Sequence, residues 1–403
     1  METIVLKFGG TSVGATDRIS AVAKLIQQAS KEAFPVVVVS AMAGETNRLI
    51  ELAESFGSEP NKREFDALIS TGEKVSASLV AIALNQLGLK AKSLTAAQIG
   101  MKTTAQFSKA KILEMDNEII FKTIADGYIP VVTGFQGITA TGDITTMGRG
   151  GSDTTAVAIA ASIKSKRCDI YTDVDGIYTT DPRIVPDAKK LDAICIEEML
   201  ELSGQGAKVI QIRAVEFANK YKVLVRILSS FEPGSGTLIL QEENGMEDAV
   251  IRGIASQTDQ TKFTLHGVVD TPGIASGILS PVSDAGIEVD VIVQNVSVSN
   301  KTDFTFTVAT TDRSEVETVL KEKMVGISYD ELIIDEEIGK VSLVGVGMRS
   351  HAGIASTAFK ALADAGINIQ MISTSEIKIT IVIAQTQLEK AVRILHKAFN
   401  LGD

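Results

Sequence analysis

The 403-residue sequence has no tryptophan, two cysteines, three histidines and no excess of basic residues, since 50 acidic side chains outnumber 39 Lys and Arg. Cys168 and Cys195 give neither a disulfide framework nor metal-ligand spacing. A net charge of −11 disfavours a dominant nucleic-acid role, because phosphate backbones need a basic surface. The first residues lack a secretory pattern, and no apolar run approaches the ~18 residues of a membrane span. We expect a cytoplasmic protein that binds neither nucleic acid nor membrane.

Apolar residues make up 45% and charged residues 22% of the chain, a balance typical of a soluble globular protein with two or three domains. The first ~230 residues alternate apolar, β-rich runs with helical periods, which predicts an α/β domain. A long helix is predicted from about Glu64 to Leu87. The strands are predicted at Thr3–Phe8, Pro35–Ala41, Ile129–Gly134, Asp169–Thr172 and Val223–Leu228.

The remainder of the chain contains an internal repeat. The tetrad Gly273–Ser276 recurs as Gly353–Ser356, and Asp284–Ile287 recurs as Asp364–Ile367, both at an offset of 80 residues. Each copy predicts the order strand, Gly-containing turn, helix, strand, strand, helix, which is a ferredoxin-like order for a small domain. A Pro- and Gly-containing boundary precedes the repeat, although Thr237–Leu240 within it has the composition of a short strand.

The segment Lys7–Ser12 ends the first predicted strand with Lys-Phe-Gly-Gly-Thr-Ser. Two glycines allow a sharp turn that brings backbone N–H groups close to a phosphate, and Lys7 adds a compact positive charge. The spacing matches neither the P-loop nor the dinucleotide fingerprint. Read alone, the segment is equally compatible with an ordinary strand-to-helix turn.

Further polar blocks follow other predicted elements. Gly148–Asp153 surrounds an arginine with glycines, an arrangement in which a guanidinium can bind a carboxylate through two hydrogen bonds. Ser152 and Asp153 also suit a helix cap. Glu73 could bind an ammonium group, or it could lie on a solvated helix face. Thr172–Arg183 follows a strand, where open α/β sheets bind ligands, although Asp181-Pro182 also fits a plain turn.

Taken together, these blocks resemble the aspartokinases of the amino-acid kinase family over nearly the whole chain. The blocks that carry the resemblance are Lys7–Ser12, Ser40–Asn47, Ser70–Glu73, Gly148–Asp153, Thr172–Gly176, Asp181–Arg183 and Gly206–Lys208. The resemblance implies a layered α/β catalytic domain over residues 1–230, a boundary over 231–247, and two ferredoxin-like (βαββαβ) ACT domains. These ACT domains would span residues 248–335 and 336–403 and would be intertwined.

The resemblance also implies a role for each matching residue. Lys7 and Asp153 would be catalytic, with Asp153 organising the lysines at the transferring phosphate. The implied substrate-binding residues are Ser40, Thr46, Glu73, Arg149, Gly150, Gly151 and Ser152. The implied ATP-binding residues are Lys7, Phe8, Gly9, Gly10, Thr172, Asp173, Tyr178, Arg183, Lys208 and Val209.

In the family, paired ACT domains bind lysine or threonine, which implies feedback regulation here. The implied effector residues are Asp270, Gly273, Ile274, Ala275, Gln294, Asn295, Gly353, Ile354, Asn368, Ile369, Thr374, Ser375 and Glu376. The resemblance implies a homo-oligomer formed through the ACT domains, possible pairing with a shorter regulatory subunit from the same gene, and a place in lysine, threonine and methionine biosynthesis.

The expected reaction transfers the γ-phosphoryl group of ATP to the side-chain carboxylate of L-aspartate. An aspartate side chain with a pKa near ~3.9 is ionised at neutral pH, so no general base is required. Lys7, Lys208, the glycine-turn amides and Mg²⁺ would offset the phosphate charge, with Mg²⁺ held largely by phosphates and water rather than by a protein-built cage. Two alternatives stay open: a kinase for another carboxylate such as glutamate, and a non-catalytic amino-acid sensor.

Overall fold

The computed structural model describes residues 2–57, 59–207, 209–241, 250–295, 300–324 and 326–402. The chain divides into two units. The first unit comprises Met1–Tyr178, Lys190–Gly204 and Lys208–Met246, and the second comprises Thr179–Lys189, Gln205–Ala207 and Glu247–Asp403. Thr237–Leu240 pairs within the large sheet of the first unit, so this unit extends beyond the expected domain end at residue 230.

The first unit contains fourteen described strands and eight described helices. Its strands are β1 (Thr3–Phe8), β2 (Phe34–Val39), β3 (Ala91–Leu94), β4 (Lys102–Thr103), β5 (Ile112–Glu114), β6 (Ile129–Thr133), β7 (Gln136–Ile138), β8 (Ile144–Thr146), β9 (Cys168–Thr172), β10 (Ile177–Tyr178), β11 (Lys190–Leu191), β12 (Ala193–Cys195), β13 (Val225–Ser229) and β14 (Thr237–Leu240). Its helices are α1 (Thr16–Ala29), α2 (Glu45–Glu54), α3 (Lys62–Ile69), α4 (Thr71–Gln86), α5 (Glu118–Ala125), α6 (Gly151–Ser162), α7 (Ile196–Gly204) and α8 (Ile212–Tyr221).

Eight strands form one mixed sheet in the order β12-β14-β13-β9-β1-β2-β6-β3. The central strands β9, β1, β2 and β6 are parallel, whereas β13 and β14 pair antiparallel. Val36–Val39 are fully buried, as expected for a strand that is covered on both faces. Because parallel strands end at the same edge, the loops after β1, β2 and β9 lie side by side.

All five predicted strands occur in this sheet, with ends shifted by at most two residues. The predicted long helix is instead two helices, α3 and α4, separated at Ser70. The stretch Lys62–Gln86 is long and apolar enough, by length and composition alone, to cross a membrane. Half of its most apolar window is buried inside the protein.

The second unit contains two four-stranded sheets. Its strands are β15 (Gly253–Gln257), β16 (Gln260–Val269), β17 (Val289–Asn295), β18 (Lys301–Ala309), β19 (Glu331–Asp335), β20 (Ile338–Val344), β21 (Met371–Thr374) and β22 (Lys378–Ala384). Its helices are α9 (Ile274–Asp284), α10 (Arg313–Lys323), α11 (Ile354–Asp364) and α12 (Leu388–Ala398), with short 3-10 helices at Thr310–Asp312, Val346–Ser350 and Gln385–Gln387.

The first repeat forms the sheet β17-β18-β16-β19, and the second forms the sheet β15-β20-β22-β21. The second copy has no strand of its own after α12 in the described part of the chain. Its fourth strand is β15, which precedes the first copy and pairs antiparallel with β20. The two ACT-like sheets are therefore intertwined, and β15 belongs to the second sheet although it lies within the range 248–335 expected for the first domain.

Candidate active site

Lys7 lies near the carboxyl end of β1, in the centre of the large sheet. Its ammonium Nζ is 2.6 Å from Oδ1 of Asp153, the third residue of α6, and both residues are at least nine-tenths buried. The first turn of a helix favours a carboxylate, because the helix dipole is positive there. The backbone N–H of Gln211 approaches the second carboxylate oxygen of Asp153 at 3.4 Å.

The glycine turn after β1 lies against the loop after β2. A Cβ at position 10 would come within 2.9 Å of the carbonyl oxygen of Ala41, so this close approach requires glycine at position 10. The carbonyl of Gly10 accepts a hydrogen bond from the N–H of Ala43. Ser40 follows β2 directly and Thr46 lies in the first turn of α2, so both side chains are held beside the glycine turn.

Glu73 lies in the first turn of α4 and is only 3% exposed. Its Oε1 accepts a hydrogen bond from the N–H of Ala41 at 3.0 Å, whereas its buried Oε2 has no hydrogen-bond partner among the described residues. Burial raises the pKa of Glu73 to about 7, and the hydrogen bond from Ala41 opposes that rise. An oxygen of this kind is suited to accept a hydrogen bond from a bound ammonium group.

Arg149 follows β8 in a turn between two glycines with left-handed backbone, Gly148 (φ 76°) and Gly150 (φ 72°). Its exposed guanidinium has no hydrogen bond or ion pair with any described residue. A Cβ at position 150 would come within 2.2 Å of Cγ of Gln211, so glycine is required there both for backbone conformation and for space. The turn thus presents a free guanidinium fork.

These groups line a single cavity of about 520 Å³ in the first unit. All nine residues predicted as catalytic or substrate-binding are on its wall: Lys7, Ser40, Thr46, Glu73, Arg149, Gly150, Gly151, Ser152 and Asp153. Gly10, one of the predicted nucleotide-binding residues, lines it too. The cavity combines a free cationic fork, a buried carboxylate with a free oxygen, and an ion-paired lysine, a set that is complementary to a small zwitterionic acid.

The remaining predicted nucleotide-binding residues have other positions. Phe8 is fully buried and its ring stacks on Tyr171 at 4.8 Å between centroids, so only its backbone is available to a ligand. Gly9 donates its N–H to the carbonyl of Tyr171, which places the glycine turn beside Thr172 and Asp173 at the end of β9.

Tyr178 donates a hydrogen bond to Asp175 at 2.8 Å, and burial raises its pKa to about 12. Val209 is half-buried before α8, and Lys208 lies outside the described residues. Arg183 belongs to the second unit, where its largely exposed guanidinium binds both carboxylate oxygens of Asp181.

Several cavity residues were not predicted from the sequence. The further polar side chains on the wall belong to Asn47, Ser108 and Thr146. Asn47 lies inside the quoted block Ser40–Asn47, where its place next to Thr46 was the available signal. Ser108 and Thr146 lie outside every glycine-containing block, and no spacing rule points to them. Within the described parts of the chain, no three Asp, Glu, His or Cys side chains cluster as a metal site would require.

The predicted effector residues of the second repeat largely surround another cavity, of about 620 Å³. Its wall includes Gly353, Ile354, Thr374, Ser375 and Glu376, together with Arg349 and His351. Asn368 and Ile369 lie between α11 and β21, and they are not on this wall.

The predicted effector residues of the first repeat take corresponding places in their own sheet. Gly273 precedes α9 as Gly353 precedes α11, with φ of 95° and 92°. Ile274 and Ala275 begin α9, and Asp270 follows β16. Gln294 and Asn295 end β17, and both are exposed. The two repeats therefore share a left-handed glycine before the first helix, although the loop of the second repeat is longer and contains the 3-10 helix Val346–Ser350.

Family models agree with this division of the chain. The model of the amino acid kinase family matches residues 2–229, and ACT-domain models match residues 264–323 and 341–399. An aspartokinase of Pseudomonas aeruginosa is 54% identical over 404 aligned residues, covering 100% of this chain and 98% of the relative. An aspartokinase of Corynebacterium glutamicum is 42% identical, with 100% and 97% covered.

A solved structure shows the same architecture. Aspartokinase III of E. coli, in its R-state complex with aspartate and ADP, superposes with a TM-score of 0.85 at 26% identity, covering 98% of this chain and 99% of that one. Its T-state complex with lysine and aspartate gives a TM-score of 0.76. With a family model over more than half of its length and relatives matched from end to end, the chain belongs to the aspartokinases, the aspartate kinases of the amino acid kinase family.

Proposed function

We propose that the 520 Å³ cavity binds L-aspartate and that the protein transfers the γ-phosphoryl group of ATP to its side-chain carboxylate, giving 4-phospho-L-aspartate. The observation that carries the proposal is the convergence of Lys7, Glu73, Arg149 and Asp153, from three distant parts of the chain, on one wall. Their charges complement those of an amino acid with two carboxylates. The aspartate and ADP held by the R-state E. coli enzyme support this assignment.

Each end of the substrate has a chemically matched partner. Arg149 binds a carboxylate through its two-pronged guanidinium, and Glu73 accepts a hydrogen bond from the α-ammonium group through its unpartnered oxygen. The pairing offsets the cost of burying an ionised Glu73. Ser40, Thr46 and Ser152 supply further hydroxyl groups on the same wall.

The phosphoryl-transfer end is formed by Lys7 and the glycine turn. The nucleophilic carboxylate is ionised at neutral pH, so the main barrier is the approach of two anions. Lys7 reduces that repulsion and Asp153 fixes its ammonium group at 2.6 Å. ATP would lie along the carboxyl ends of β1 and β9, against the backbone of Phe8, Gly9 and Gly10 and the side chains of Thr172, Asp173 and Tyr178. Lys208 and Val209 belong to the proposed nucleotide-binding set, whereas Arg183, in the second unit, stays a prediction from the family resemblance.

Magnesium is proposed to enter with the triphosphate. The donor set fits this mode of binding, because the described acidic side chains do not cluster into a cage and Asp153 is already paired with Lys7. Mg²⁺ commonly keeps several waters and binds substrate phosphates. When bound, it would neutralise phosphate charge.

Feedback regulation is proposed at the ACT domains, by lysine, threonine or both. The cavity beside Gly353 and Glu376 supports an amino-acid site, since it offers the carboxylate of Glu376 together with Arg349. The lysine bound in the T-state E. coli structure is consistent with such a site. An effector inhibits only if it binds a less active conformation more tightly than the active one.

The proposal places the enzyme in the cytoplasm, in the biosynthesis of lysine, threonine and methionine, as a homo-oligomer formed through its ACT domains. Both cysteines are free and buried, which suits a reducing compartment. A shorter regulatory subunit from the same gene remains a prediction.

The test is ADP release by the purified protein with Mg-ATP and L-aspartate, with L-glutamate in parallel. Lysine and threonine are added singly and together. We expect aspartate-dependent turnover that at least one of the two effectors reduces. Glutamate-dependent turnover would change the substrate. Absence of turnover in folded protein that still binds lysine or threonine would support the sensor alternative.

A further inference from the structure

A buried carboxylate with no cationic partner lies directly behind the aspartate cavity. Asp66, in the middle of α3, is 0% exposed and forms no ion pair with any described residue. Its Oδ2 accepts hydrogen bonds from the backbone N–H groups of Ser108 (2.9 Å) and Thr146 (2.7 Å). Its Oδ1 accepts from the hydroxyl groups of the same two residues, at 3.0 and 2.9 Å. Four donors satisfy the carboxylate fully, which is what makes its burial tolerable.

These four hydrogen bonds join two chain segments that both line the cavity. Thr146 ends β8, three residues before Arg149. Ser108 lies in the loop between β4 and β5 with a left-handed backbone (φ 66°), a strained conformation for a residue with a side chain. A Cβ at Gly148 would come within 3.0 Å of the carbonyl oxygen of Ser108, so the Ser108 loop supports the turn that carries Arg149.

Arg213 on α8 holds the same two segments through their carbonyl groups. Its Nη1 donates to the carbonyl of Met147 at 2.8 Å, and its Nη2 donates to the carbonyl of Ala110 at 3.0 Å. Ala110 in turn donates its N–H to the carbonyl of Thr146 at 3.0 Å. Asp66 therefore binds N–H and hydroxyl donors of the segments, whereas Arg213 binds their carbonyl acceptors.

We propose that Asp66 and Arg213 are positioning residues for Arg149. They hold the turn Gly148–Gly150 in the geometry that binds the substrate carboxylate. The inference rests on the proposed aspartate-binding role of Arg149. Asp66 has no exposed surface and so acts through the backbone it holds. The guanidinium of Arg149 has no hydrogen bond or ion pair with any described residue, so its placement depends on that backbone. A fixed backbone reduces the ordering that must accompany substrate binding.

The central variant is Asp66→Asn, which keeps the size of the side chain but turns one acceptor oxygen into an amide donor that opposes the donors of Ser108 and Thr146. We expect the KM for aspartate to rise about tenfold or more, because buried donors lose their acceptor and the turn is released. The KM for ATP and kcat should change by less than about threefold, because the variant weakens the binding of aspartate and leaves the chemical step unchanged. Arg213→Gln should show the same split.

Asp169→Asn is the matched control. Asp169 is another buried carboxylate of the first unit, 1% exposed, and accepts hydrogen bonds from Arg167 and Arg226 near the start of β9. It does not line the cavity. Its substitution should lower Tm while the KM for aspartate stays within about twofold of the parent value. Thr146→Val is a milder second variant that removes only one hydroxyl hydrogen bond and should raise the KM for aspartate by about threefold or more.

Arg149→Ala serves as the reference arm. If it leaves the KM for aspartate unchanged, the proposed carboxylate site is wrong and the positioning role is wrong with it. If it raises that KM while folded Asp66→Asn and Thr146→Val do not, the positioning role alone is overturned. If Asp66→Asn raises the KM for aspartate and the KM for ATP equally, and Asp169→Asn does the same, the effect is general destabilisation. That result would also overturn the positioning role. Should Asp66→Asn fail to fold, Thr146→Val decides.

Discussion

A buried ion pair is an expensive way to stabilise a protein, and Lys7–Asp153 lies near the carboxyl end of a central strand. Removing two charges from water costs more than a well-packed apolar pair of the same volume would. The pair is nonetheless nearly closed to solvent, and both residues line the cavity. We infer that this site has an ion pair because the transferring phosphate requires a positive charge beside it. A hydrophobic pair could not supply that charge.

Lys7→Met tests this interpretation. Methionine fills much of the volume of the lysine chain, so kcat should fall about 100-fold or more while the fold survives. The single variant leaves Asp153 buried without its partner and should unfold more easily. The double variant Lys7→Met/Asp153→Asn should recover part of that stability, but not the activity. Parental kcat in folded Lys7→Met, measured by ADP release, would contradict the catalytic role.

Glu73 predicts a pH dependence of substrate binding. Burial raises its pKa to about 7, and only the ionised form pairs with an ammonium group. As pH falls below 7, Glu73 becomes protonated and the substrate ammonium group loses its ionised partner. The KM for aspartate should then rise with a slope that approaches about tenfold per pH unit. Above that pH the KM should level off.

Glu73→Gln is the control for the pH dependence. The amide does not titrate, so the variant should bind aspartate more weakly at pH 8 and show no inflection near pH 7. Measurement of the aspartate KM from pH 5.5 to 8.5 in both proteins decides the point. An inflection that persists in the glutamine variant would assign the titration to another group.

At the residue scale, sequence patterns identify groups that belong to compact blocks and miss those that act through space. Lys7 and Arg149 are predictable because glycines beside them mark unusual turns. Asp66 has an ordinary helical setting in the sequence, and its four donors come from residues 42 and 80 positions later. Only the three-dimensional structure places that carboxylate against Ser108 and Thr146.

Two helices that line the cavity begin at glycines, and they differ in the space around their caps. Gly44 (φ 81°) precedes α2 and has nothing within 4 Å of a would-be Cβ. Gly150 (φ 72°) precedes α6 and would collide with Gln211. The first glycine is needed for backbone conformation alone, and the second for conformation and packing.

Gly44→Ala should therefore cost about 1–2 kcal/mol of stability, the strain of a left-handed alanine. Gly150→Ala adds a collision with Gln211, the N-cap residue of α8, whose backbone N–H also approaches Asp153. We expect Gly150→Ala to lose more stability than Gly44→Ala. It should also raise the KM for aspartate by more than Gly44→Ala does. Urea unfolding and steady-state kinetics of the two proteins test the difference. Equal losses would mean that packing at Gly150 relaxes freely.

At the element scale, continuous apolar runs predict the central strands well, because a strand covered on both faces needs no alternation. The same rule hides short elements. The four-stranded sheet β5-β4-β7-β8 consists of strands of two or three residues, too short for a period to show. The break between α3 and α4 is equally invisible in the sequence, because Ser70 keeps a helical backbone (φ −66°, ψ −12°). In the structure its carbonyl accepts a hydrogen bond from the side chain of Gln136.

At the scale of the whole molecule, the 80-residue repeat predicts two similar domains but not how their strands are shared. Strand β15 precedes the first repeat but pairs with β20 in the second sheet. The second sheet therefore contains a strand from outside its own repeat. No local pattern specifies this exchange, since β15 pairs with a strand about 90 residues later. The buried cluster of Val291, Ile338, Met371 and Val382 packs residues of both sheets together.

The repeat also leaves an apolar residue exposed on the corresponding edge strand of each sheet, and these residues predict an interface. Ile292 on β17 is 49% exposed and Ile372 on β21 is 40% exposed, 80 residues apart. Unpaired edges with apolar side chains favour association with a second copy.

Ile292→Glu should therefore yield a smaller species in light scattering and weaken inhibition by lysine or threonine, while basal kcat is retained. Ile82→Glu, at an isoleucine of α4 that is 57% exposed, adds the same charge to the catalytic unit and should leave the mass unchanged. An unchanged mass for Ile292→Glu would move the interface away from this edge, and a smaller species for Ile82→Glu would place it on the catalytic unit.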